Sequence, residues 1–146
     1  MIKPLTSIGT EGVGFQKDLE TNTLVKFPQL GNVKLGNNVE VGPNSTIRRA
    51  ALKSTLIKNG AIIGSLTNVG HNCIIGENSF LASNISIAGS SVIGDDVFIG
   101  MHATIKNPSI VGNHAPIGMS SVVLSDVAKN TTVVGCPAKV IAGKDV

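Results

Sequence analysis

The chain of 146 residues has no tryptophan, no tyrosine, four phenylalanines, two cysteines and only 14% charged residues. Each shortage excludes something. With Phe15, Phe27, Phe80 and Phe98 scattered and no larger aromatic to help them, base-stacking platforms are nearly absent. A formal charge of +3 is too mild for a protein that grips a nucleic-acid backbone. No apolar run approaches the length of a membrane span, and Met1-Ile2-Lys3-Pro4 opens no signal peptide. Cys73 falls on the apolar pattern described next and Cys136 in a Gly-Cys-Pro turn, so no disulfide is expected. The chain reads as cytoplasmic, with no nucleic-acid partner and no membrane span.

What is present is a six-residue period. Ile57, Ile63, Val69, Ile75, Leu81, Ile87, Ile93, Ile99, Ile105, Val111, Ile117 and Val123 head twelve consecutive hexads, every one aliphatic. The second position is small in most hexads, as at Gly64, Gly70 and Gly76, and the fifth is small or apolar, as at Ala61, Thr67 and Cys73. A short fixed period marks a solenoid, whose repeats bury their apolar faces only by stacking. Six is a multiple of two, so first and fifth residues point to one side of an extended chain. A short strand and a tight bend then fill one hexad, the small second residue freeing the backbone. Three hexads close a triangular coil of eighteen residues, stacked about 4.8 Å from the next.

The expected organisation is a single all-β domain over 1–146. Residues 1–34 form an irregular first coil with a protruding loop or hairpin near 15–27, which caps the stack and can touch substrate. Residues 35–128 form the hexapeptide coils, and 129–146 a last strand, turn and tail, with no second domain. The hexad spacing jumps by ten between Ile47 and Ile57, so four extra residues fall within 48–56 and should make an outward loop. Arg48 and Arg49 in that stretch could hold a phosphate or be a solvated charge pair. Phasing should break after Val127. Pro108 and Pro116 fall at outward positions, where a missing ladder donor is tolerated.

His71, His102 and His114 all fall outside the first and fifth positions and should face outward. Their spacings of 31 and 12 are not multiples of eighteen, so they do not share a rail and do not suit a three-histidine zinc site. No metal is expected. One rail carries His71, Gly89, Asn107 and Ser125. A histidine there can take a proton from an amine or hydroxyl. A side-chain-free amide one coil up, at Gly89, can receive the oxyanion of an acyl-transfer intermediate.

The repeat resembles the hexapeptide-repeat family, and the resemblance implies a left-handed parallel β-helix, trimeric, with active sites in grooves between neighbours. Ile8-Gly9-Thr10-Glu11-Gly12-Val13-Gly14-Phe15, Pro28-Gln29-Leu30-Gly31-Asn32-Val33, Gly70-His71-Asn72 and Ile87-Ala88-Gly89-Ser90 resemble the solenoid of the lipid A N-acyltransferases. His71-Asn72-Cys73-Ile74-Ile75-Gly76 and Val133-Val134-Gly135-Cys136-Pro137-Ala138-Lys139 resemble nucleotide-sugar acetyltransferases of the sialic-acid and bacillosamine type. In both groups the histidine aligned with His71 is the general base, and in the second the amide aligned with Gly89 binds the thioester oxygen. The carboxylate that follows this histidine in some of them is Asn72 here, which leaves the tautomer of His71 to a backbone carbonyl or to another subunit.

The resemblance implies an acyltransferase that moves an acyl group, taken to be acetyl, from acetyl-CoA to the amine of a nucleotide-linked amino sugar for surface polysaccharide or lipopolysaccharide. It places pantetheine along Gly89, Asn107 and the Met101/Met119 column, and the CoA phosphates at Lys139. Phe15, Arg48, Arg49 and Asn72 are the expected sugar-side contacts. Both groups hold the nucleotide sugar partly with an N-terminal domain, a role that residues 1–34 or a partner subunit would take here. The alternatives are a sugar O-acetyltransferase, an N-acyltransferase fed by acyl carrier protein, and a non-catalytic trimeric scaffold.

Overall fold

The computed structural model describes residues 1–141; the tail expected over 142–146 lies outside the described residues. The first and fifth hexad positions decide the architecture. Ile57, Ile63, Val69, Ile75, Leu81 and their successors are buried to within about 2%, as are the fifth-position residues from Ala61 to Ser121. Together they form one continuous core. Each aliphatic side chain so buried contributes roughly 1.5–3 kcal/mol. This is how a chain with so few aromatics keeps a core.

The strands stack as three parallel sheets, one on each side of a prism. Side one stacks Ser7–Thr10, Thr46–Arg48, Asn68–Val69, Ser86–Ile87, Thr104–Ile105 and Val122–Val123. Side two stacks Asn32–Leu35, Ser54–Ile57, Ile74–Ile75, Val92–Ile93 and Ile110–Val111. Side three stacks Glu40–Val41, Ile62–Ile63, Phe80–Leu81 and Phe98–Ile99, and Ile117 continues it by a bridge to Ile99. Val69 pairs with Ile87 and Ile87 with Ile105, eighteen residues apart each time. Fifth-position hydroxyls bond to carbonyls of the next coil, Ser79 Oγ to the Gly94 oxygen at 2.7 Å for example.

The bend is made differently from the sequence expectation. No second-position glycine has a positive φ; the left-handed residue is the fourth, as at Asn72 (58°), Asn78 (53°), Asn84 (60°), Ser90 (61°), Asp96 (54°), His102 (62°) and His114 (55°). Asn, Asp and His are the side chains that tolerate this region best. The small second residue answers to crowding between coils instead. A Cβ on Gly76 would lie 2.0 Å from the Gly94 oxygen, and one on Gly70 2.5 Å from the Gly89 nitrogen.

Two irregularities matter. Ile47 pairs with Val69, 22 residues on, so the four-residue insertion sits at the corner between sides one and two. At the far end Val111 bridges to Val127 and Ile117 to Val133, each 16 residues on. The phase therefore slips between Val123 and Val127, before the point the hexads suggested. The corner tightens there, and Asp126 Oδ1 caps the Ile110 N–H at 2.7 Å. Phe15–Lys17 and Leu24–Lys26 form an antiparallel hairpin that leaves the prism, and Val133–Val134 with Lys139–Val140 close its other end.

Candidate active site

His71 lies at the corner where side one turns into side two, directly over the inserted loop. Its imidazole is held between two glycines. A Cβ on Gly89, one coil up, would stand 2.5 Å from His71 Nε2. A Cβ on Gly12 would stand 2.9 Å from Cδ2. Neither residue has room for a side chain while the ring keeps its place. The coils are tied here by the Ser90 N–H donating to the His71 carbonyl at 2.7 Å. The Gly89 N–H has no acceptor among the described residues.

Gly12 reaches the ring because arginines hold the segment before it. Arg49 Nε donates to the Gly9 carbonyl at 2.6 Å, and an Arg48 guanidinium nitrogen donates to the Glu11 carbonyl at 3.4 Å. Arg48 Nε also donates to Asn68 Oδ1 at 3.2 Å. Gln29 closes the same corner from the returning chain. It is 3% exposed, and its Oε1 lies 2.9 Å from the place a Gly12 Cβ would take, with no hydrogen-bond partner. Leu30 and Gly31 then donate to the Ala51 carbonyl of the inserted loop. In the sequence Gly12 and Gln29 figure only as parts of family-like motifs, with no role beside His71, and Ala51 is not singled out.

Asn72 is occupied on both sides: Oδ1 accepts the Ala51 N–H at 2.9 Å and Nδ2 lies 3.1 Å from His71 Nδ1. So His71 Nδ1 faces a neighbour within the subunit, where the sequence suggested a backbone carbonyl or a second subunit. A shallow depression beside this pair is lined by Ala51, Leu52, Lys53, Ser54, Asn72 and Ile74. Phe15, 56% exposed, stands on the hairpin.

Asn107 continues the His71 and Gly89 rail, two coils above His71, and is exposed. Met101 and Met119, 45% and 74% exposed, stack on the corner between sides three and one, so one chain does not bring them to His71. Lys139 is exposed on the closing hairpin at the end of the stack. His102 and His114 occupy left-handed turn positions on the other two corners. His114 Nδ1 is 3.8 Å from Asp96. The backbone conformation accounts for both. His71 is the one histidine at a third position, where no turn demands it.

No family model matches the chain. It is 50% identical over 136 residues to UDP-3-O-acylglucosamine N-acyltransferase of Desulfotalea psychrophila, covering 93% of this chain and 39% of that protein. It is 48% identical over 75 residues to the protein of that name from Dechloromonas aromatica, 51% of this chain and 21% of the relative. Among solved structures, PerB from Caulobacter crescentus, in complex with CoA and GDP-perosamine, aligns with TM-score 0.71 and 28% identity, over 75% of this chain and 51% of PerB. The chain is a relative of the hexapeptide-repeat acyltransferases. It spans only part of their length, about two fifths or less of these two curated relatives. Francisella novicida UDP-N-acetylglucosamine acyltransferase, 21% identical with TM-score 0.85 over 98% of this chain and 51% of its own, supports the fold alone. That fold is the left-handed parallel β-helix of the hexapeptide-repeat proteins. Among the described residues no helix is long and apolar enough to cross a membrane, and no three His, Cys, Asp or Glu side chains converge on a metal-sized site.

Proposed function

We propose that the protein transfers an acyl group, acetyl in the simplest case, from acetyl-CoA to the amine of a nucleotide-linked amino sugar. The observation that carries this reading is His71 packed between Gly12 and Gly89, with an unpartnered amide at Gly89 beside the ring. The names of the relatives support acyl transfer on nucleotide sugars, and the PerB complex supports a CoA-type donor. In this reading the amine attacks the thioester carbonyl, a C–N bond forms and the C–S bond breaks. His71 is the general base that takes the proton nitrogen loses, and the Gly89 amide stabilises the oxyanion.

The donor would run up the rail past Gly89 and Asn107 toward the closing end of the stack, where Lys139 is exposed. The Met101/Met119 column joins it only in an assembly. A cyclic trimer joins two different patches of each copy, so a column on one corner can face a different corner of the next. Ile62, Phe80 and Phe98, 40–48% exposed on side three with the two rings stacked 5.7 Å apart, offer an apolar surface for such contact. The hairpin with Phe15, together with Arg48 and Arg49, stands where the nucleotide sugar would be held. Thiol release from acetyl-CoA across a panel of UDP- and dTDP-linked amino sugars tests the reading. Release with at least one amine acceptor, and none with its N-acetylated counterpart, is expected. No release with any acceptor from a folded trimer overturns it.

A further inference from the structure

Both ends of the Asn72 carboxamide are committed, and this determines where His71 keeps its proton. A backbone N–H only donates, so the Asn72 atom that meets the Ala51 N–H at 2.9 Å is the carbonyl oxygen. The atom 3.1 Å from His71 Nδ1 is then the NH2 group. Turning the amide over would set NH2 against N–H and leave a part-buried donor without an acceptor. An NH2 group donates, so Nδ1 is the acceptor. In the neutral ring the single proton is therefore on Nε2, the nitrogen beside Gly89.

The lock is built from the inserted loop. Ala51 belongs to the four-residue excursion, and its carbonyl is held from the other side by the Leu30 and Gly31 N–H groups at 2.8 and 3.2 Å. A run of hydrogen bonds thus leads from the returning N-terminal segment through Ala51 and Asn72 to the imidazole.

We infer that Asn72 is a positioning residue that, locked by the Ala51 N–H, holds resting His71 in the Nε2–H tautomer, so that the ring is idle as a base until the amide turns over. At rest Nε2–H is a donor, able to bond an acyl oxygen next to the Gly89 amide. Once Nδ1 carries the proton and the Asn72 oxygen accepts it, Nε2 has the lone pair that receives a proton from the attacking amine and returns it to the departing thiolate. One proton leaves nitrogen and one arrives on sulfur, so the ring ends as it began. A substrate that draws residues 49–53 away from Asn72 releases the base. This last consequence rests on the acyl-transfer reading; the tautomer does not.

Long-range proton–nitrogen correlation spectra of [15N]histidine-labelled protein, at a pH of about 8.5 where imidazole is neutral, read the tautomer without any substrate. A His71→Gln spectrum assigns the signals. In the unaltered protein His71 should show a protonated Nε2 and an unprotonated Nδ1. Asn72→Asp should reverse this, because a carboxylate only accepts. The fold accepts that change, since Asp96 holds the equivalent fourth hexad position on another corner at φ 54°. Asn72→Ala, which keeps no partner for Nδ1, should give a mixture. A proton on Nδ1 in the unaltered protein, or one tautomer common to all three chains, overturns the inference. Tautomers as stated with no thiol release would sink the acyl-transfer reading alone, and thiol release with reversed tautomers would sink this inference alone.

Discussion

Gly12 and His71 leave no room for a side chain between them across 59 positions of sequence: a Cβ at residue 12 would lie 2.9 Å from the imidazole Cδ2 of His71 and 3.0 Å from its methylene Cβ. The N-terminal segment is therefore one wall of the histidine's seat. Gly12→Ala should displace the ring while the coils stay intact, because the atoms an added carbon would meet first belong to Gln29 and His71, neither of them part of the hydrophobic core. Overpacking of this kind costs about 1–3 kcal/mol, and a displacement near 1 Å at a reacting group costs about a hundredfold in turnover. Thermal melting and thiol release measured together should show a small change in the first and a large one in the second.

Gly89→Ala attacks the ring from the other side, with its new carbon 2.5 Å from Nε2. Here the amide that would bind the oxyanion is kept and only its surroundings change. The expected result is a fall in kcat with little change in the melting temperature. An unaltered kcat would show that Gly89 is not at the reacting centre.

Arg49→Ala should loosen the 9–14 segment without harming the coils. Its Nε donates to the Gly9 carbonyl, and hydrogen bonds from charged donors contribute on the order of 1.5–3 kcal/mol. Hydrogen exchange at residues 11–14, beyond the Ser7–Thr10 strand, should quicken while amides of sides one to three keep their protection. Unchanged exchange would mean the segment is held without the Arg49 side chain, by Arg48 and by backbone bonds such as Phe27 N–H to the Gly14 carbonyl.

The two cysteines should separate cleanly. Burial pushes the Cys73 thiol up to about 11, and its Sγ donates to the Ala88 carbonyl at 3.3 Å, whereas Cys136 is exposed. A thiol reagent at pH 8 should label Cys136 in the native protein and both cysteines after denaturation. Because the folded thiol keeps its proton where the unfolded one has lost it, the folded state binds more protons between about pH 9 and 11. Stability should therefore fall as pH rises through that window. Cys73→Ser, which imitates Ser79 and Ser91 at equivalent positions, should remove this slope.

Much of this fold was written in the hexads. Aliphatic firsts and small fifths predicted which residues are buried, and an eighteen-residue coil placed His71 under Gly89. The bend was misread because glycine freedom is the usual account of a turn. Here asparagine at the fourth position makes the turn and glycine at the second keeps the coils from colliding. The site was legible only where it repeats. Gly12, Gln29 and Ala51 come from non-repeating stretches, and contacts that join segments 17 to 59 residues apart at no multiple of eighteen leave no periodic trace. The slip between Val123 and Val127 was missed for a related reason: Val127 suits the fifth position of one register and the first of the other, so the sequence fits both up to that residue.

The most direct test of the central claim is acyl transfer by His71→Ala in an assembled, folded protein. With acetyl-CoA and a nucleotide-linked amino sugar that the unaltered protein acylates, turnover should fall by about a hundredfold or more, with CoA binding retained. Turnover equal to that of the unaltered protein would contradict the account.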